Sequence, residues 1–325
     1  MWPPGSSRSW ARCFGSENRT ETRSTRAATG WAPGGEAGFG PPGAGPRWGR
    51  SRGERHRPRG CFVASDRREA AYRLVIEYDG SEFHGWQVQR SHRTVQGEIE
   101  TALKRLAHGP VRIAGAGRTD AGCHAAGQVA SVKLTTRLSA ERLRLALNGI
   151  LPGDVRIVQV EEVGPEFHAR FDAMRRSYRY VIEPRIVPIR RRYAWARAVR
   201  AGVAALNEAS RPLLGAHDFT TFSKQGSENG GPLCRVTRAR WSGRRGRLRF
   251  DIESDRFLYT MVRRIVATVV RESESGAGAG AVESALEARD RRAAAPPAPA
   301  HGLYLMRVRY PRVGWIPKES LNVVA

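Results

Sequence analysis

Tyr72-Arg-Leu-Val-Ile-Glu77 and Tyr178-Arg-Tyr-Val-Ile-Glu183 are almost the same word written twice in one chain. Each is a short apolar run rich in β-branched and aromatic residues, the composition of a strand packed on a pleated surface. The first is closed by the turn pair Asp79-Gly80. Beyond it, Thr94 stands where an N-cap belongs, because Val95, Ile99, Ala102, Leu103 and Leu106 recur at helical spacing on one face. Strands are expected at 111–115, 127–135 and 154–162, with a helix at 140–150 capped by Ser139. Similar ingredients follow the second copy: a helix at 197–213 and a hairpin from Val236 to Glu253 turning at Gly243-Arg-Arg-Gly246. A helix at 257–272 should bury Leu258, Met261, Val262, Ile265 and Val269, and a last strand runs over 302–310. Ala293–Ala300 reads as an Ala/Pro linker between them. The order of elements is too mixed for a continuous parallel sheet, so the sequence predicts an α+β fold of two similar halves.

Outward from this pair of strands the chain loses its periodicity. Residues 1–69 are rich in Gly, Pro, Ser and Arg with no apolar repeat, so they bury too little surface to offset their ordering entropy and are expected to be disordered. Three origins fit such a segment: an upstream extension from a misplaced start codon, a basic tail that attracts RNA, or an organelle transit segment. Pro3, Pro4, Pro33, Pro41, Pro42 and Pro46 argue against the amphipathic helix that a transit segment needs. The apolar centre of a secretory signal is missing as well. The expected boundaries are a first half over 70–175, a second over 176–312, and a tail over 313–325.

Apolar residues make up 40% of the chain, enough for a core, and no run approaches the roughly 18 consecutive apolar residues of a membrane span. The formal net charge is +24, with an isoelectric point near 11.2, and such a surface attracts polyanions through its field and through counterion release. Nucleic acid is the partner this implies. Only Lys104, Lys133, Lys224 and Lys318 are lysines, and an arginine excess of this kind also follows from a GC-rich genome. Cys13, Cys61, Cys123 and Cys234 are widely separated and form no CxxC or Cys/His cluster of metal-ligand spacing, which suggests a reducing compartment and no structural metal.

One stretch concentrates reactive residue types: Ala114-Gly-Ala-Gly-Arg-Thr-Asp-Ala-Gly-Cys-His-Ala-Ala-Gly-Gln-Val129. Its glycines let backbone approach a ligand closely, or simply connect two strands. Phosphate-loop readings fail on detail. Asp120 stands where a dinucleotide fingerprint requires glycine, no Gly-Lys-Ser/Thr follows, and a carboxylate would repel phosphate.

Arg118-Thr-Asp120 within this stretch, with His124 and Gly127-Gln-Val129 behind it, resembles the catalytic motif of the TruA family of pseudouridine synthases. The resemblance extends in family order through Tyr78-Asp-Gly80, Gly85-Trp-Gln87, Leu151-Pro-Gly-Asp154, Phe167-His-Ala-Arg-Phe171 and Tyr178-Arg-Tyr180. It continues at His217-Asp-Phe219, Met261-Val-Arg263 with Ile265-Val266, and Gly302-Leu-Tyr-Leu305. It implies two ferredoxin-like lobes whose mainly antiparallel sheets join across a basic cleft, usually in a cytoplasmic homodimer. It also implies an isomerase that needs no cofactor and acts on uridines 38, 39 and 40 of the tRNA anticodon stem-loop.

By the same resemblance Asp120 is the catalytic aspartate, which attacks ribose C1′, adds to uracil C6 or removes the C2′ proton. An exposed aspartate titrates near ~3.9, so it is expected to be ionised without help. Arg263 is implied to lie against this carboxylate, holding it ionised and fixing its rotamer. Tyr178 is implied to stack on the target base; Tyr180, two residues on, faces the same way, so periodicity does not separate them. Arg118 is implied to hold the flipped nucleotide or fill its place, with a phosphate clamp or a structural pairing as the alternative. His124, His168 and His217 are expected to be structural hydrogen-bonding residues. The chain departs from the usual family pattern at Phe83, Asp255-Arg256, Thr260, Arg264 and Ala267, which bears on neighbouring RNA contacts. Two other classes compete: a noncatalytic RNA-binding protein using the same cleft, and a glycoside hydrolase, which would require a second carboxylate that the motif lacks.

Overall fold

The computed structural model of the protein describes residues 68–226 and 231–311. The expectations of disorder before residue 68 and of a tail after 311 lie outside the described residues. In chain order the elements are β1 (Arg68–Tyr78), α1 (Val95–Lys104), β2 (Ala114–Gly115), β3 (His124–Thr136), α2 (Ala140–Ile150), β4 (Val155–Val163), β5 (Arg175–Glu183) and β6 (Trp195–Ala196). They continue as α3 (Val203–Ala209), β7 (Gly215–Asp218), β8 (Leu233–Arg244), β9 (Arg247–Ser254), α4 (Met261–Ser275), α5 (Gly278–Ala288) and β10 (Leu303–Arg309). Among the described residues no helix is long and apolar enough to cross a membrane.

The chain is α+β, and its sheet runs β4-β1-β3-β10-β5-β9-β8-β7, with β2 beside β3 and β6 beside β5. Pairings are antiparallel except β3 with β10 and β5 with β6. The two echoing stretches are β1 and β5, and each lies between two antiparallel neighbours. Alternation puts Tyr72, Leu74, Ile76 and Tyr78 of β1, and Arg176, Tyr178, Tyr180 and Ile182 of β5, on one buried face, while Val181 and Glu183 at the end of β5 are buried on the other. The parallel β3–β10 pair joins the two parts of the sheet. Leu305 of β10 faces Ala125 on one side and Tyr178 on the other, so the loop that feeds β3 is held two strands from β5.

Both helix caps read from sequence are present: Thr94 accepts from Gly97 N–H, and Ser139 from Arg142 N–H. Elsewhere tertiary contacts moved the expected boundaries. Of the strand at 111–115 only Ala114–Gly115 pairs, because side chains of α1 occupy the backbone before it. Glu100 accepts from Ile113 N–H, and Gln96 donates to Ile113 O. The helix at 197–213 contracts to Val203–Ala209 between Gly202 and the 3-10 turn containing Pro212. The hairpin turns on two residues, Arg245 and Gly246, both at positive φ. The late helix begins at Met261, because Thr260 has φ 64° and breaks the helical path. Helix α5 was not expected: Gly278 and Gly280 mask it in sequence, while Val282, Ala285 and Leu286 are buried in the core. The stretch read as a linker is a wall, with Ala294, Ala295 and Ala298 buried.

Candidate active site

The loop carrying Asp120 is pinned by the segment that follows β1. Trp86 N–H donates to Thr119 O at 3.1 Å, Gly122 N–H to Phe83 O at 3.2 Å, and the hydroxyls of Tyr78 and Thr119 lie 2.7 Å apart. Cys123 N–H closes the turn onto Asp120 O at 3.1 Å. Two glycines allow this closeness. Gly85 has φ 91°, and a Cβ there would lie 2.7 Å from Thr119 O and 3.3 Å from the carbonyl carbon of Asp120. A Cβ on Gly115 would lie 2.5 Å from the indole nitrogen of Trp86. The glycine-tryptophan pair of the sequence is therefore the buttress of the aspartate loop. Gly85→Ala is expected to cost at least about 1 kcal/mol, since alanine pays both the positive φ and the clash. Denaturant unfolding checks this, and an unchanged midpoint would contradict it.

The Asp120 side chain is 11% exposed, not open to solvent as its sequence context suggested. Arg263 Nη1 donates to its Oδ2 at 2.6 Å, and Arg263 Nε donates to Ala298 O at 2.6 Å. Ala298 N–H returns a bond to Arg263 O at 3.1 Å, so the Ala/Pro wall and the first turn of α4 together aim the guanidinium. Burial raises the Asp120 pKa above the usual carboxylate range, while the Arg263 contact and the more distant Lys224 charge pull against that rise. The Asp120 Oδ1 atom accepts no hydrogen bond from any described residue, which leaves it the oxygen available to a ligand.

Tyr178 is buried, with its ring edge-on to Phe257 at 5.0 Å between centroids. Its hydroxyl has no hydrogen-bond partner among the described residues and faces Gly117, where a Cβ would stand 3.6 Å away. Burial pushes the phenol well above its usual range, and the nearby Cys123 and Asp120 add to the shift. Tyr180 shares its face but is spoken for, donating to Pro299 O at 2.7 Å. Arg118 is exposed and bonds to no described residue. Asp120, Arg263 and Tyr178 thus converge, and the exposed Arg118 precedes Asp120 by two residues.

The histidines bond to main chain. His124 Nδ1 lies 3.1 Å from Gly80 N and 3.1 Å from Asp79 Oδ1, and its Nε2 lies 3.0 Å from Arg192 O. His168 Nδ1 accepts from Arg170 N–H, and His217 Nε2 meets Leu214 O. Several departures from the family pattern also have local partners: Arg264 donates to Arg291 O, and Phe83 is buried under the Arg93 guanidinium, 4.2 Å from the ring centroid. Thr260 is different. It is β-branched at φ 64°, a conformation costing about 1–3 kcal/mol, and its Oγ1 is buried with no hydrogen-bond partner among the described residues.

Sequence reasoning missed Arg176. It is 8% exposed and donates to four carbonyls, Ala116 O at 3.0 Å, Ala173 O at 2.9 Å, Asp255 O at 2.7 Å and Arg170 O at 2.6 Å. One guanidinium thereby ties the aspartate loop to the 167–173 turn and to the approach to α4. The available signal was alternation: two residues before Tyr178 on a strand means the same face. Arg176→Ala is expected to cost at least about 3 kcal/mol, because several buried carbonyls lose their donor at once. A loss under about 1 kcal/mol in urea unfolding would show that water replaces the guanidinium.

The sequence model of the tRNA pseudouridine synthase family matches residues 74–172 and 209–311. The chain is 43% identical over 242 residues to tRNA pseudouridine synthase A of Moorella thermoacetica, covering 73% of this chain and 98% of that one. It is 39% identical over 241 residues to the protein of the same name from an Exiguobacterium species, covering 74% and 98%. For that of Bacillus subtilis the figures are 40% over 242 residues, 73% and 98%.

Proposed function

Since this chain belongs to the tRNA pseudouridine synthase family and is an isomerase of tRNA uridine, we propose that it forms pseudouridine at positions 38, 39 and 40 of the anticodon stem-loop, with Asp120 as the nucleophile. The observation that carries the reading is the 2.6 Å contact between Arg263 Nη1 and Asp120 Oδ2. A carboxylate taken out of water is driven towards protonation, and a guanidinium at that distance favours the anion. The contact also selects an oxygen: with Oδ2 held, Oδ1 is the atom that bonds to the nucleoside.

The reaction rearranges one nucleoside. The C1′–N1 bond breaks, the uracil turns within the site, C5 bonds to C1′, and the C5 proton leaves as N1 takes one up. Nothing is oxidised or released, so the task of the protein is to extrude the uridine, hold the detached base and supply the carboxylate. Tyr178 offers its ring to the extruded base, and its free hydroxyl is a donor for a base carbonyl. Arg118, exposed and bonded to no described residue, takes a phosphate or the place the uridine vacates.

The same reading treats residues 70–175 and 176–312 as two ferredoxin-like lobes of a cytoplasmic homodimer. Strand order supports it: β4-β1-β3-β2 in the first part and β10-β5-β9-β8 in the second both run fourth, first, third, second once the short β6 and β7 are set aside.

The test is incubation of the purified protein with an unmodified tRNA transcript bearing uridines at 38, 39 and 40, followed by chemical mapping that marks only pseudouridine. Marks at one or more of these positions are expected. Marks confined to other positions would overturn the site assignment, and free uracil in place of any mark would mean hydrolysis.

A further inference from the structure

Just before α4, whose Arg263 meets Asp120, the chain carries an exposed aromatic residue with no assigned task. Leu258 and Met261 are buried, and between them Tyr259 is 45% exposed. It stands four residues before Arg263 in the segment that leads into α4, and two after Phe257, whose ring meets Tyr178. Lys224, one of four lysines in an arginine-rich chain, is locked to it twice. Its N–H donates to Tyr259 O at 3.0 Å, and its Nζ lies 5.2 Å from the centre of the Tyr259 ring. Both belong to the field of the site, since the Lys224 charge helps hold the Asp120 carboxyl down and the Asp120 charge raises the Tyr259 phenol.

An exposed tyrosine alone would mean little, because apolar atoms cover much of any protein surface. The backbone gives this one weight. Thr260 adopts φ 64°, starts α4 without a side-chain cap bond and buries its Oγ1 without a hydrogen-bond partner among the described residues. Strain of this kind persists where the surrounding structure imposes it, and it gathers at functional sites.

Extruding a uridine leaves the base beside it with an uncovered π-face and brings its phosphate into the site. An aromatic ring replaces the lost stacking, and an ammonium neutralises the phosphate. We propose that Tyr259 and Lys224 form a subsite for the nucleotide adjacent to the target uridine, the ring stacking on its base and the ammonium pairing with its phosphate. The subsite rests on the reading of this site as the one that extrudes a tRNA uridine.

The experiment uses the full chain with Asp120→Asn, so that binding is read without turnover. Anticodon stem-loops with uridine at 39 carry 2-aminopurine at 38 or at 40, and its fluorescence reports stacking. Quenching is expected at one of the two. Tyr259→Ala in the same background should remove that quenching and weaken binding about tenfold, the scale of one base stacked on an aromatic ring. Tyr259→Phe, which keeps the ring, should restore both to within about twofold. Lys224→Ala should lower the slope of log affinity against log salt by about one phosphate contact. Quenching and affinity unchanged by Tyr259→Ala would overturn the subsite, as would no binding of the stem-loop. Quenching that depends on Tyr259, with no pseudouridine from the wild-type protein, would sink the reaction and leave the subsite standing.

Discussion

Asp120→Asn is expected to abolish pseudouridine formation, by at least about 10⁴-fold, while leaving the fold and tRNA binding in place. The amide has nearly the shape of the carboxylate, and its oxygen can still accept from Arg263 Nη1, as Oδ2 does at 2.6 Å. What it lacks is nucleophilicity. The substitution also has an expected effect on stability, with a sign opposite to that of an ordinary surface carboxylate. Burial raises the pKa of Asp120 in the folded chain despite Arg263 and Lys224. The stability this group contributes is therefore fully present below its unfolded pKa, near ~3.9, and is lost as pH rises through the higher folded value. At neutral pH the ionised carboxylate works against the fold. Asp120→Asn should be at least as resistant to heat as the wild type at pH 7, with any advantage fading towards pH ~4. Thermal unfolding at the two pH values, beside pseudouridine mapping, reads both effects. Residual activity within tenfold of wild type would remove Asp120 from the chemistry. A large fall in melting temperature at pH 7 would show that the ion pair stabilises the fold more than burial of the charge costs.

Arg263→Ala carries the second largest expected effect, a fall of about 10²–10³ in kcat/KM at neutral pH. The guanidinium is the strongest influence holding the Asp120 pKa down, so its removal lets desolvation act unopposed except by Lys224. The acidic limb of the pH–rate profile should move to higher pH, because more alkali is then needed to ionise the nucleophile. Part of the activity should return as pH is raised. Arg263→Lys tests charge against geometry: an ammonium restores the field but cannot span both Ala298 O and Asp120 Oδ2 as the forked group does. It should recover most of the pH shift and only part of the rate. A profile unmoved in the alanine variant would mean that Arg263 acts on the RNA and not on the carboxylate.

Much of this site was readable from the chain because its parts lie in short segments. The aspartate motif, the glycine-tryptophan pair and the echoing strands are each specified by a few adjacent residues, and the caps at Thr94 and Ser139 by a side chain reaching its own helix. Where reading failed, distant contacts had overruled local preference. Gly278 and Gly280 disfavour a helix, yet α5 forms because Val282, Ala285 and Leu286 are buried in the core. Ala293–Ala300 has the composition of a linker, yet it supplies the carbonyl that aims Arg263.

By itself, then, the sequence determined which residue types stand together along the chain: an aspartate among glycines, an arginine opening a helix, a tyrosine on a repeated strand. The tertiary structure alone decided that Asp120 and Arg263, 143 residues apart, meet at 2.6 Å. It decided also that Asp120 is largely shielded from water and that Arg176 is spent on four carbonyls. Periodicity and capping are properties of neighbouring residues, whereas desolvation, and the pKa that follows from it, depends on whatever the rest of the chain folds against a group.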